Sequence, residues 1–324
     1  ALVGTGASTI QIGPRLQPQV ARLSVFQRTP PWILPHPDRS VGRPLRRAYA
    51  TLPGLQRLVR AGIYTLHEGL VPGMIRDPRL LRLQEATAAA LLRRQVPDPD
   101  LRARVTPHYP IGCKRILLSN EWYPMLCRPN VELVPEPIGG VDRGAVLTEG
   151  ARREVDVIIF ATGFAATDLP ISHRVVGRDG RPLAEVWGGS PQAHLGTTVA
   201  GFPNLFLLYG PNTNLGHSSI IYMLESQFRY VLGALAAMRS RALATLEVRP
   251  AAQAAWQARV QRRLGRSVWN SGCASWYLDA NGTNSTMWPG FTFEFRRRTR
   301  RFDLDNYLAE ARSPVGPTPA LQGA

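Results

Sequence analysis

The chain opens with Ala1-Leu2-Val3 running straight into Gly4-Thr5-Gly6-Ala7-Ser8-Thr9-Ile10-Gln11. Apolar residues, two glycines spaced by one and then a helix-like run specify a strand, a tight turn and a helix. Dinucleotides are bound by such a unit, because glycines let the backbone approach a pyrophosphate and the first N–H groups of the helix face it. A strand in this position is expected to have further residues before Ala1. The third glycine of the fingerprint is replaced by Thr9, so the loop taken alone is a weak motif. After a short helix that Pro14 and Pro18 should interrupt, Leu23-Ser24-Val25-Phe26 reads as a second strand ending in Gln27-Arg28-Thr29. Arg28 stands where an acidic residue would bind a ribose hydroxyl, and an arginine suits a 2′-phosphate, so NADP is expected rather than NAD.

Composition narrows the classes. Among 324 residues, 44% are hydrophobic and only 19% charged, which argues against disorder and leaves enough chain for real cores. No apolar run is long enough to span a membrane, no signal peptide is visible at the start, and a cytoplasmic location is the default expectation. Cys113, Cys127 and Cys273 are too few and too scattered for a disulfide framework or a zinc site. The net charge of +16 rests on 39 basic side chains, of which only Lys114 is a lysine. Such a bias toward arginine fits a GC-rich coding sequence, and a lysine that persists against it points to a need for lysine.

Further along, residues from about 40 to 105 place apolar and arginine residues at helical spacing, which predicts a helical insertion within the first domain. The segment Ile111-Gly112-Cys113-Lys114-Arg115 follows as a loop, and Val131-Glu132-Leu133-Val134 reads as a strand. A buried strand is expected over 155–164, ending in the small-residue turn Ala161-Thr162-Gly163. Another is expected over 204–211, leading into a helix from about Ser218 to Arg239. Two strand ends that each deliver a glycine-containing loop suggest two cofactors. The segment from Trp269 to Phe291 is dense in Trp, Asn, Ser and Gly and reads as a loop-built pocket. The tail from Ser313 is rich in Pro and Gly and is expected to be disordered.

Taken in order, these segments resemble the flavin-dependent monooxygenases of the Baeyer–Villiger type. The resemblance lies in Gly-Thr-Gly-Ala-Ser at 4–8, Val-Phe-Gln-Arg-Thr-Pro at 25–30, Gly-Cys-Lys-Arg at 112–115, Ala-Thr-Gly-Phe at 161–164, Gly-Phe-Pro-Asn-Leu-Phe at 201–206 and Ser-Trp-Tyr at 275–277. It implies an α/β fold with two Rossmann-like domains for FAD and NADP and a helical insertion. The NADP domain would span 1–160, the later part of the FAD domain 161–310, and a tail 311–324. Gly4, Thr5, Gly6 and Ser8 would hold the NADP pyrophosphate, and Arg28, Thr29 and Lys114 its 2′-phosphate. Ala161, Thr162 and Gly163 would lie at a cofactor, and Trp276 would contact the nicotinamide half. Arg115 would be the catalytic residue, a permanent positive charge beside developing negative oxygen. The implied reaction uses NADPH, FAD and dioxygen, through a peroxyflavin, to convert a ketone to an ester or lactone.

The FAD glycine fingerprint of that family is absent from these residues and by resemblance belongs upstream, so the 324-residue chain alone is expected to bind FAD poorly or not at all. An N- or S-oxygenating flavin monooxygenase, acting on a heteroatom, is the nearest alternative. The Lys114-Arg115 pair and the tryptophan-rich segment favour the Baeyer–Villiger branch. A basic nucleic-acid-binding module, centred on Arg296 to Arg301, is the alternative from another class. No nucleic-acid motif accompanies that run, and neither nucleic-acid nor membrane contact is expected.

Overall fold

A computed structural model of the chain describes residues 1–38, 40–273 and 275–312. The chain divides into two units, Ala1–Phe164 with Ser271–Ser275, and Ala165–Asn270 with the residues from Trp276 onward.

The first unit is built on a four-stranded parallel sheet, in the order Val131–Val134, Leu23–Phe26, Leu2–Val3, Ile159–Phe160. Leu2, Leu23 and Val25 are almost wholly buried, as a parallel sheet covered on both faces requires. The helix Ala7–Leu16 covers one face. Pro14 sits inside this helix and does not interrupt it; the chain tightens into a 3-10 turn only at Gln17–Gln19. Packing of Ile10, Ile12 and Leu16 against the sheet outweighs the one backbone bond that the proline removes. Gly13 makes that packing possible, since a Cβ there would stand 2.9 Å from the Met125 methyl and 3.2 Å from the Trp122 ring. Close helix packing, the usual task of a third fingerprint glycine, is thus carried by Gly13 instead of position 9.

The expected helical region contains Arg43–Thr51, Leu55–Glu68, Val71–Ile75, Arg82–Gln95 and Pro99–Arg104. Its later part is integral to the first unit, with Leu91, Leu92, Val96, Leu101 and Val105 in the same core as Leu2 and Val25. The earlier helices leave Leu58, Ile63 and Leu66 exposed. A short parallel pair, Ile33–Leu34 with Leu117–Leu118, and an antiparallel meander, Ile138–Asp142, Ala145–Thr148 and Ala151–Glu154, complete the unit.

Two expected buried strands come out differently. Of residues 155–164 only Ile159–Phe160 is a strand, and it forms the sheet's edge, with Phe160 67% and Phe164 96% exposed. Residues 204–211 form no strand, because Asn204 and Tyr209 take positive φ (60° and 57°), which breaks an extended ladder.

In the second unit, the helix Ile220–Ser240 starts at Ser219, whose hydroxyl accepts from the Ile221 N–H. Leu243–Val248 and Tyr307–Ala311 pair antiparallel, and Pro250–Leu264 forms a second long helix. The aromatic segment expected to build a pocket fills the interior: Trp269, Tyr277, Met287 and Trp288 are buried, and Trp288 stacks on Trp256 at 5.7 Å between ring centres. Its loops are held by side-chain amides, with Asn212 Nδ2 donating to the carbonyls of Asn284 and Met287. The expected disordered tail lies, from Ser313 onward, outside the described residues. No described helix is long and apolar enough to cross a membrane.

Candidate functional site

The glycine loop sits at the carboxyl end of the first strand. Gly4 has φ +113°, and a Cβ on it would stand 2.5 Å from the carbonyl oxygen of Ala161. Only glycine fits, because both the conformation and the space exclude a side chain. Ala161 is therefore packed against this loop, and its N–H donates to Val3 O at 2.9 Å. Gly6 is the N-cap of the helix, with open space where a Cβ would project. No side chain caps the helix and its first turn holds no acid, so its N-terminal N–H groups remain available to an anion. The Thr9 hydroxyl is fully buried, lies 3.5 Å from that Gly4 Cβ position, and has no hydrogen-bond partner among the described residues.

Two anchors fix the turn that follows the second strand. Gln27 is buried, its N–H donates to Val134 O, and its Nε2 donates to Arg104 O at 2.8 Å. The Thr5 hydroxyl donates to Thr29 O at 2.7 Å, so the turn of Arg28 and Thr29 is tied directly to the glycine loop. Arg28 itself projects into solvent, without an ion pair among the described residues.

Lys114 reaches the same neighbourhood from the turn after Gly112, whose φ is +89°. Its ammonium lies over the Tyr109 ring at 4.9 Å. Trp32 Nε1 donates to Tyr109 O at 2.8 Å and Trp32 O accepts from the Leu117 N–H, which fixes both ends of this loop. Partial burial, and then the positive charge of Arg28, hold the Lys114 ammonium below its ordinary pKa. Two cations are thus kept close at a cost that an anion between them would reverse. Burial pushes the Tyr109 phenol up to about 12, so it stays neutral beside the lysine. Arg115 follows, exposed and without an ion pair among the described residues.

Trp276 belongs to the second unit, is 46% exposed, and packs on Tyr277 at 4.5 Å between ring centres. The arginine run at 296–301 is split: Arg298 pairs with Glu294 at 3.1 Å, whereas Arg296 lies over the Tyr222 ring at 4.8 Å.

No family model matches the chain. A Baeyer–Villiger monooxygenase of Pseudomonas aeruginosa is 51% identical over 311 residues, covering 95% of this chain and 59% of that protein. Another, of Streptomyces coelicolor, is 47% identical, covering 100% of this chain and 62% of that protein. The chain is a homologue of the Baeyer–Villiger monooxygenases. It spans about 60% of the length of these curated relatives. Among solved structures, oxidized steroid monooxygenase bound to NADP superposes with a TM-score of 0.76 at 29% identity, over 96% of this chain and 66% of that one. Cyclohexanone monooxygenase from Rhodococcus sp. Phi1 bound to NADP+ shares the fold, with a TM-score of 0.80 at 24% identity over the same shares.

Sequence reasoning on this Baeyer–Villiger homologue missed two features. One is Thr9, read only as a lost glycine although it brings a buried hydroxyl to the loop. The other is the pairing of Cys113 with Cys273 across 160 positions, for which spacing gives no signal.

Proposed function

We propose that this chain is the NADPH-handling portion of an FAD-dependent Baeyer–Villiger monooxygenase, which inserts one atom of dioxygen into a ketone to give an ester or lactone. The observation that carries the reading is the hydrogen bond from Thr5 to Thr29 O, which ties the Arg28 turn to the uncapped helix N-terminus, with the charge of Arg28 felt at Lys114. A 2′-phosphate between the two cations would restore the full charge of Lys114, and a pyrophosphate would meet the N–H groups after Gly6. The NADP-bound steroid monooxygenase neighbour supports the same cofactor.

In this reading Gly4, Thr5, Gly6 and Ser8 hold the pyrophosphate, while Arg28, Thr29 and Lys114 hold the 2′-phosphate. Ala161, Thr162 and Gly163 shape the floor of the site, since Gly4 already touches Ala161. Trp276 is assigned to the nicotinamide half by the family resemblance. Arg115 is the catalytic residue: its planar guanidinium donates to oxygen as negative charge builds there. FAD, when bound, accepts the hydride from NADPH and activates dioxygen. Residues 1–160 form the NADP domain and 161–310 the later part of the FAD domain. Dependence on NADPH fits a cytoplasmic location.

Titrating the chain with NADP+ and NAD+ in parallel tests the cofactor assignment. NADP+ is expected to bind at least about tenfold more tightly, since a single charge-assisted phosphate contact is worth roughly 1.5–3 kcal/mol. Equal affinities would remove Arg28 and Lys114 from the 2′-phosphate role.

A further inference from the structure

Two of the three cysteines meet at the base of the Lys114-Arg115 loop. Cys113 and Cys273 form a disulfide with Cα atoms 6.3 Å apart, although 160 positions separate them, and Cys127 remains free. Cys113 has no exposed surface, whereas Cys273 is partly exposed. Ser271 Oγ lies 3.4 Å from the Cys113 sulfur. The bond joins two segments of the first unit, residues 112–115 and 271–275. A chain with cores of this size does not need one bridge to fold, in contrast to a small disulfide-built domain. A single pair with one partly exposed cysteine, its other cysteine directly preceding Lys114 and Arg115 in the chain, has the attributes of a redox-responsive site.

We propose that Cys113 and Cys273 form a reversible, peroxide-oxidised redox site whose closed form holds Lys114 and Arg115 in place. The Cys273 thiolate attacks hydrogen peroxide; the O–O bond breaks, hydroxide leaves, and Cys273 becomes a sulfenic acid. Cys113 gives its proton to that hydroxide and attacks the Cys273 sulfur. The S–S bond forms as the second hydroxide leaves and is protonated from solvent, with the proton the first thiolate had released. Overall two thiols are oxidised and one peroxide is reduced to two waters. A small dithiol reverses this by attack on Cys273, the partly exposed partner, becoming a disulfide itself while both cysteines regain their hydrogens. The effect on NADP+ rests on the assignment of Lys114 to the 2′-phosphate; the redox chemistry does not.

The experiment uses the purified chain, reduced with dithiothreitol, desalted, and divided into untreated and hydrogen peroxide-treated samples. After alkylation, peptide mass mapping of the peroxide sample should show a 113–273 cross-link that dithiothreitol removes, with Cys127 alkylated throughout. Cys113 and Cys273 both alkylated after peroxide, or a cross-link that dithiothreitol leaves intact in the folded chain, would overturn the proposal. Limited trypsin digestion supplies a readout independent of NADP+. Cleavage after Lys114 and Arg115 should be several-fold faster in the reduced chain and insensitive to peroxide in Cys273→Ser, and equal rates in both forms of the wild type would refute a loop held by the bond. NADP+ should bind the oxidised wild type about tenfold more tightly than the reduced, a coupling of ordinary size. A redox-dependent trypsin rate without any NADP+ binding would count against the cofactor assignment and leave the redox site standing.

Discussion

Gly4 lies so close to Ala161 that a methyl group on it would stand 2.5 Å from the Ala161 carbonyl oxygen. The glycine loop and the turn at 161–163 are therefore one surface, made by two adjacent parallel strands of the sheet. Gly4→Ala must either abandon its φ of +113° or push the neighbouring strand outward. The backbone strain alone costs about 1–3 kcal/mol. A lowered melting temperature together with loss of NADP+ binding is expected from thermal denaturation and titration.

Removing either of the cations assigned to the 2′-phosphate, Arg28 or Lys114, should change selectivity more than stability. Arg28→Ala is exposed and unpaired, so folding should be affected by less than about 0.5 kcal/mol. Its NADP+ affinity should drop about tenfold or more, with NAD+ affinity unchanged, as calorimetry with both nucleotides would reveal.

Lys114 makes the same contact dependent on pH. Burial, followed by Arg28, lowers its pKa, so its positive charge is lost at a lower pH than that of a free lysine. A bound phosphate favours the charged form, so binding takes up a proton and NADP+ affinity falls as pH rises through the lowered pKa. Lys114→Arg should flatten that decline, and an identical pH profile in the two proteins would argue against the contact.

The second unit carries its own pH dependence in a buried polar network. Burial alone would raise the Asp303 carboxyl, but hydrogen bonds from His194, Tyr230 and Asn306 together bring it below its ordinary value. Tyr230 gives its one proton to Asp303, so Tyr307 donates to Tyr230 at 2.9 Å and Thr198 to Tyr307 at 2.8 Å. Because the folded pKa is depressed, the stabilisation is present above the unfolded value and is lost as pH falls through the folded one. Asp303→Asn should lower stability at neutral pH by about 1–2 kcal/mol. The loss is held to that size by the 34% exposure of the side chain. Acid titrations followed by circular dichroism should show a shallower decline in the variant.

Local chemistry made part of this architecture legible. The strand Leu23–Phe26 announced itself by four consecutive buried residues, and the turn at Gly4 by a conformation that only glycine adopts freely. Arg28 and Lys114 were singled out by residue type, and the structure brings them close enough to interact. Apolar content misled at 155–164, where Phe160 and Phe164 are apolar and exposed, because hydrophobicity does not reveal whether a strand will have a neighbour on both sides. At 204–211 the positive φ of Tyr209 was unreadable, since tyrosine has no preference for it. Trp269 and Trp288 suggested a pocket by residue type, yet their size makes them efficient core fillers, and interior packing won. The 113–273 pairing depends on a chain path that no local pattern encodes.

The purified 324-residue chain should bind NADP+ without retaining FAD. Among its described residues the proposed dinucleotide cradle at Gly4 and Gly6 opens on an uncapped helix N-terminus, whereas the helix after residues 209–217 has its N-terminus capped by Ser219. Stoichiometric flavin absorbance in the purified chain would contradict this.

Arg115→Ala in the FAD-loaded enzyme tests the central claim most directly, with NADPH consumption and ester formation from a ketone measured in the same reaction. NADPH should still reduce the flavin, while ester formation falls about a hundredfold to a thousandfold, as when a preorganised donor to a developing oxyanion is removed. Ester formation at the wild-type rate would show that Arg115 is not the catalytic group.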